Sequence, residues 1–154
     1  MRSCHNVGSL LRTAEGLGVA KVYLTGYTPY PLLKNDPRLP HIASKINIQI
    51  SKTALGAETL QSWEQTNDPL PTINKLKSEG YVVAGLEQAS GSQRLSSVEL
   101  PHKIAILLGT EVTGLTAEQL AWCDQIYEIP MFGQKESYNV VQAAAMAMYQ
   151  ARFF

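Results

Sequence analysis

Three segments of this 154-residue chain gather polar residues and glycines beyond what packing asks for: Asn6 to Arg12, Gly109 to Leu115, and Ile129 to Asn139. The second, Gly109-Thr110-Glu111-Val112-Thr113-Gly114-Leu115, directly follows an apolar run. Its glycines would let backbone amides and carbonyls approach a ligand closely. No Gly-Lys-Ser/Thr follows, which argues against a Walker phosphate loop. The third, Ile129-Pro130-Met131-Phe132-Gly133-Gln134-Lys135-Glu136-Ser137-Tyr138-Asn139, joins an apolar end to a polar loop. That combination suits a flat aromatic ring hydrogen-bonded around its edge. Each segment also has a purely structural reading: Asn6 and Asn139 as helix caps, Gly109 and Gly114 as turn residues, Glu111 as a solvated charge.

The elements that would position these segments follow from hydrophobic spacing. Asn6 is expected to cap a helix carrying Val7, Leu10, Leu11, Ala14 and Leu17 on one face and ending at Gly18. A strand over Lys21 to Thr25 comes next, then an irregular excursion from Gly26 to Pro40 containing Pro29, Pro31, Pro37 and Pro40. Ile46, Ile48 and Ile50 alternate with polar residues as in a strand, and the small residues of Lys52 to Glu58 suit a tight backbone approach. Asp68-Pro69 opens a helix through Ile73, Leu76 and Lys77 that stops at Gly80, and Tyr81 to Leu86 reads as a buried strand. After a turn at Ser90-Gly91-Ser92, the near-continuous apolar run Lys103 to Leu108 predicts a central parallel strand covered on both faces. Thr116 caps a short helix through Leu120 and Cys123, Ile126 to Ile129 gives another strand, and Asn139 begins a final helix rich in alanine and methionine. Such alternation predicts a single α/β domain with a mainly parallel sheet and helices on both faces. Ligands of an open α/β sheet bind beyond the carboxyl ends of its strands.

Composition narrows the function classes. Lys plus Arg and Asp plus Glu each number 13, so there is no global basic field and any RNA contact must be local. Cys4 and Cys123 stand far apart with no Cys or His cluster, which points to neither a zinc site nor a disulfide, and no metal is expected. Apolar runs fall far short of a membrane span and the N-terminus has no signal-peptide pattern, so a cytoplasmic, soluble protein without membrane partners is expected. No Gly-x-Gly-x-x-Gly follows a strand, which disfavours a nicotinamide-dependent dehydrogenase.

Taken in order, the three segments resemble the motifs of the SpoU, or TrmH-like, branch of the SPOUT superfamily of RNA methyltransferases. Asn6-Val7-Gly8-Ser9-Leu10-Leu11-Arg12-Thr13-Ala14 through Gly18 is similar to the first motif, and Ile104 to Leu108 with Gly109, Glu111, Gly114 and Leu115 to the second. Ile129-Pro130-Met131-Phe132-Gly133, Ser137-Tyr138-Asn139-Val140 and Ala143-Ala144-Ala145 resemble the third. Thr110 stands where the family often has Asn, Tyr138 where it usually has Leu, and Val141-Gln142 where it has small residues. The family also has a strand before its first motif, so a preceding first strand is expected to be missing here.

The resemblance implies a C-terminal deep trefoil knot over roughly Leu108 to Met148, an exception to the rule that chains avoid threading. It implies S-adenosylmethionine bound bent against Leu108, Gly109, Thr110, Glu111, Gly114, Ile129, Pro130, Met131, Ser137, Tyr138 and Asn139. The implied reaction is methyl transfer to a ribose 2′-hydroxyl of tRNA or rRNA. Catalytic roles carry over to Arg12, Asn6, Glu111, Ser137 and Asn139, with Arg12 binding the neighbouring phosphate and orienting or deprotonating the hydroxyl. The family works as a homodimer in which Arg12 lies near the opposite subunit's cofactor, and Met146, Met148, Tyr149, Phe153 and Phe154 would suit that interface. Arg2, Arg12, Lys34, Arg38, Lys45 and Lys52 are candidates for RNA contact. The alternative reading is an RNA-binding or cofactor-binding pseudoenzyme of the same fold without turnover.

Overall fold

Ser3, not Asn6, starts the first helix, α1 (Cys4–Gly16): its hydroxyl accepts a hydrogen bond from the Asn6 amide at 3.3 Å. Ser3 offers the same short oxygen acceptor one turn earlier, which draws Asn6 into the first turn of the helix. The C-terminus behaves as expected, with Gly18 in the left-handed region at φ +68°. The computed structural model describes all 154 residues, divided into two compact units, Met1–Asn67 and Asp68–Phe154.

In the first unit, β1 (Val22–Thr25) runs parallel to β2 (Trp63–Thr66), with Val22 opposite Trp63. Between them lie α2 (Pro40–Ala54) and the short α3 (Ala57–Leu60). The helix α2 replaces the strand expected around Ile46, Ile48 and Ile50. Ala43, Ile46, Ile50 and Ala54 fall at helical spacing and turn inward, while Ile48 is exposed, so the alternation of isoleucines was coincidental. The core joins Val7 and Leu11 of α1, Leu24 of β1, and Ile50 and Ala54 of α2. Gly8 marks the place where α1 meets α2. A Cβ there would collide with the Ile50 carbonyl and the Thr53 hydroxyl and stand 2.9 Å from the Ala54 amide nitrogen.

The excursion from 26 to 39 is irregular, as its prolines demand, yet ordered. The Arg38 guanidinium donates to Asp36 at 2.5 Å and to the carbonyls of Tyr30 and Pro31 at 3.0 and 3.1 Å, and stacks 3.6 Å above the Tyr30 ring. It holds the Asp36 carboxyl well below the usual carboxylate range. This network fixes Arg38 and the loop around it in one arrangement.

The second unit comprises α4 (Leu70–Ser78), β3 (Val82–Leu86), β4 (Gln93–Arg94), β5 (Ile104–Leu108), α5 (Ala117–Ala121), β6 (Gln125–Glu128) and α6 (Val140–Phe153). Its four strands are all parallel, in the order β4-β6-β3-β5. The expectation of one sheet with Ile104–Leu108 at its centre is therefore corrected. There are two parallel sheets, one in each unit, and β5 lies at the end of its sheet beside β3. A continuous apolar run reports contact on both faces of a strand, not the number of its neighbours.

The caps here match the sequence reading. The Asp68 carboxylate accepts from the Leu70 amide at 2.9 Å, Thr116 and Gln119 form a capping box on α5, and the Asn139 side chain caps α6. Ala84, Leu95, Tyr127 and Ala147 form the core. Asp124 clips the start of β6 to β3, accepting from Lys77 at 2.7 Å and from the Val83 amide at 2.9 Å. Both bonds, the Lys77 one foremost, lower its pKa. Met146, Tyr149, Phe153 and Phe154 are exposed along α6, with the Tyr149 and Phe153 rings 4.8 Å apart. Both cysteines are free thiols, and no helix is long and apolar enough to cross a membrane.

Candidate functional site

Parallel pairing brings the carboxyl ends of β3, β5 and β6 to one edge of the second unit: Leu86 stands opposite both Leu108 and Tyr127. A cleft of about 580 Å³ opens there, walled by the loop after β5 on one side and the loop entering α6 on the other. This is where an open α/β sheet offers exposed backbone groups to a ligand.

The loop after β5 is a tight turn. Thr110 and Gly114 exchange backbone hydrogen bonds at 3.0 and 3.1 Å, and the Thr110 hydroxyl accepts from the Thr113 amide at 3.0 Å and lies 2.8 Å from the Thr113 hydroxyl. Thr110 thus performs the turn-stabilising work for which a short polar side chain is needed. Two glycines are sterically required. A Cβ at Gly109 would sit 2.5 Å from the Leu115 nitrogen, and Gly114 adopts φ +64° directly above the Glu87 carboxyl. Glu87 fixes the turn from below, its Oε2 accepting from the Leu115 amide at 2.7 Å and its Oε1 from the Gln88 amide at 3.0 Å.

The opposite wall is polar at its rim. Glu136, Ser137 and Asn139 are exposed and Tyr138 is 37% exposed, so its ring is available along the cleft. The Asn139 Oδ1 accepts from the Val141 amide at 2.9 Å, which confirms its capping reading and orients the start of α6. Gln88 reaches across to this wall, its Nε2 donating to the Glu136 carbonyl at 3.3 Å.

Of the residues expected to hold a cofactor, Leu108, Gly109, Thr110, Glu111, Gly114, Ile129, Ser137, Tyr138 and Asn139 line this one cleft. Pro130 and Met131 do not line it, although they follow Ile129 directly. Asn6 and Arg12 lie on α1 in the first unit, where Arg12 is exposed. The expected cofactor set missed Glu87, Gln88, Leu86, Val112, Thr113, Glu136, Val140 and Ala143 among the lining residues. A signal for the first two existed: they leave a strand parallel to the one before Gly109, so the strand-end rule covers them equally.

Three carboxylates, Glu87, Glu111 and Glu136, line the cleft, and no Lys, Arg or His does. Such a lining repels phosphate and accepts a neutral or cationic ligand. Leu86, Leu108, Ile129, Val140 and Ala143 provide apolar surface for a ring, and the turn supplies backbone groups at its edge. No group of three His, Cys, Asp or Glu side chains is arranged to hold a metal ion.

Comparison with known proteins places this arrangement in context. The pattern of the SpoU rRNA Methylase family matches residues 1–149. The chain is 33% identical over 144 residues to a tRNA (guanosine(18)-2'-O)-methyltransferase of Borreliella burgdorferi, covering 94% of this chain and 59% of that protein. It is 30% identical over 148 residues to the 23S rRNA (guanosine-2'-O-)-methyltransferase RlmB of Neisseria meningitidis serogroup B, covering 96% and 53%. The chain therefore spans somewhat more than half the length of these curated relatives. The SpoU methyltransferase AviRb from Streptomyces viridochromogenes, solved in complex with AdoMet, superposes with a TM-score of 0.76 at 21% identity, over 97% of this chain and 55% of that one. A structure described as giving insights into the 2-OH methylation of C/U34 on tRNA superposes with a TM-score of 0.72 at 24% identity, over 96% and 86%. These superpositions show a shared α/β fold.

Proposed function

The chain belongs to the SpoU rRNA methylase family, and from that premise we propose that it binds S-adenosylmethionine in the cleft of its second unit and methylates a ribose 2′-hydroxyl of tRNA or rRNA. The observation that carries this reading is the cleft itself. Two loops resembling the family's second and third motifs wall one cavity that has apolar faces, a backbone-rich edge and carboxylates but no cationic side chain. That chemistry fits an adenosyl ring and a cationic sulfonium better than a phosphate-bearing nucleotide. The proposed fold includes a trefoil knot over roughly Leu108 to Met148, within a single methyltransferase domain spanning residues 1–154.

Bound in the cleft, S-adenosylmethionine would supply an electrophilic methyl group to the ribose oxygen, its sulfur keeping the C–S electron pair as S-adenosylhomocysteine and the hydroxyl proton passing to water. A hydroxyl is a weak nucleophile until that proton is removed or the growing charge is stabilised. Arg12, exposed on α1, is assigned to the phosphate next to the target ribose, where its guanidinium orients the 2′-hydroxyl and assists loss of the proton. Asn6, about one and two-thirds turns earlier on α1, supports Arg12 or the RNA backbone. Glu111 orients hydrogen bonds on the turn after β5, and Ser137 and Asn139 hold the facing wall. Pro130 and Met131 remain in the proposed cofactor set as the residues that lead Ile129 into that wall.

The proposed working form is a cytoplasmic homodimer in which Arg12 of one subunit serves the cleft of its partner. The exposed Met146, Tyr149, Phe153 and Phe154, with the half-buried Met148, supply an apolar face suited to such pairing. The decisive experiment is methyl transfer from labelled S-adenosylmethionine to total tRNA and to rRNA, followed by nucleoside analysis. Label in a 2′-O-methylated nucleoside that disappears with Arg12→Ala, while that variant still binds the cofactor, is the expected result. Cofactor binding by the native chain without transfer to either RNA overturns the reading in favour of a pseudoenzyme.

A further inference from the structure

We propose that Glu87 and Gln88, the dipeptide leaving β3, are positioning residues that clamp the two walls of the cleft to one strand end. The inference rests on the cofactor reading only for what fills the cleft; the clamp is a property of the chain. Neither residue falls in the three motif segments, yet each reaches a different wall. Glu87 holds the turn after β5 through the Leu115 amide at 2.7 Å, and Gln88 holds the loop before α6 through the Glu136 carbonyl at 3.3 Å. The two arms are themselves tied, because the second carboxylate oxygen of Glu87 accepts from the Gln88 amide at 3.0 Å. The β3 backbone continues the anchor downward: the Glu87 amide donates to the Tyr127 carbonyl of β6 at 2.9 Å.

The fit is specific for this pair. Gly114 lies so close above the Glu87 carboxyl that a single added methyl group would strike it, so the turn's left-handed glycine and the carboxylate beneath it are matched. A carboxylate bonded to a backbone amide is stronger than a neutral pair. Glu87 therefore dominates the clamp, and Gln88, exposed and neutral, supplies the weaker arm.

The test uses the full chain. Amide hydrogen exchange is compared without ligand for the native protein, Glu87→Gln and Gln88→Ala, and S-adenosylmethionine binding is titrated calorimetrically for all three. Glu87→Gln places an NH₂ against one of two backbone donors, so exchange across 110–115 should accelerate about tenfold or more, the equivalent of one lost charge-assisted bond. Gln88→Ala should accelerate 132–139 about threefold and leave 110–115 within about twofold. The Kd for S-adenosylmethionine should rise about tenfold in Glu87→Gln, with KM for this cofactor rising and KM for RNA unmoved. Unchanged exchange across 110–115 with Kd within about twofold of native overturns the clamp. If the native chain binds no S-adenosylmethionine, the cofactor reading falls and the exchange data alone decide the clamp. Should Glu87→Gln fail to fold, the exposed Gln88→Ala decides: selective loosening of 132–139 supports the proposal, and no change overturns it.

Discussion

Replacing Gly8 by alanine sets two opposing effects against each other. Alanine in a helix interior is favoured over glycine by about 1 kcal/mol, because glycine loses more backbone entropy on folding. At Gly8 the added methyl meets the Ile50 carbonyl, the Thr53 hydroxyl and the Ala54 nitrogen, the last at 2.9 Å. Two of these three are backbone atoms of α2 and cannot rotate away. The Thr53 hydroxyl can, but only by breaking its 2.8 Å bond to the His5 carbonyl, at about 1 kcal/mol. Overpacking of this kind costs roughly 1–3 kcal/mol, so packing prevails and Gly8→Ala should be destabilising by about 1–3 kcal/mol. Gly16, the last residue of the same helix, has no atom within 4 Å of its would-be Cβ, and Gly16→Ala should be neutral or stabilising by up to about 1 kcal/mol. Urea unfolding of the two variants measures both, and for a chain of this size each kcal/mol corresponds to roughly 2–4 °C in Tm. Gly8→Ala as stable as the native chain, or less stable Gly16→Ala than Gly8→Ala, would refute the close approach of α1 and α2.

Gly114→Ala should weaken S-adenosylmethionine binding by at least about tenfold while β3 and β5 keep their exchange protection. Left-handed backbone costs a non-glycine residue about 1–2 kcal/mol, and the methyl would also displace the Glu87 carboxyl; calorimetric titration measures the loss. Asp124 has a depressed folded-state pKa, so its contribution to stability is present above the unfolded carboxylate value near ~3.9 and is lost as pH falls through the folded value. Because the Lys77 pair is partly exposed, that contribution is at most about 1 kcal/mol. Urea midpoints from pH 7 down to pH 3 should show Asp124→Asn less stable at neutral pH and converging on the native chain in acid; a constant difference across this range would contradict the assignment.

The legible parts of the fold are those governed by local rules. Thr116 and Asn139 announce α5 and α6 because their side chains satisfy amides within three residues. The strands Val82–Leu86 and Ile104–Leu108 announce themselves by apolar, β-branched content. The failures share a different cause. Ile46, Ile48 and Ile50 alternate as a strand would, and only the burial of Ala43, Ile46, Ile50 and Ala54 against α1 makes the segment a helix. β2, Trp63 to Thr66, carries Glu64 and Gln65 and has no apolar pattern; it exists because β1 offers it a ladder. Competition between caps likewise cannot be settled by residue type: Ser3 and Asn6 are equally good acceptors, and the extra turn of helix gained from Ser3 decides.

The site divides along the same line, and the division bears on what its residues do. Gly8, Gly109 and Gly114 stand out in the sequence, and each is accounted for by a steric clash that any side chain would create. Thr110 and Asn139 are accounted for by the turn and the cap they complete. At these positions local geometry alone accounts for a glycine or a short polar residue. Arg12 and Ser137 are different: both are exposed, on surfaces where stability asks only for a polar residue. Glu87 is the reverse case, an unremarked strand-end residue whose carboxylate the fold uses twice. Substitutions at Gly109 and Gly114 therefore read the shape of the cleft, whereas those at Arg12 and Ser137 can separate chemistry from shape. An Arg12→Ala protein that retains native stability and cofactor affinity yet transfers no methyl would isolate the chemical step, which no glycine variant can do.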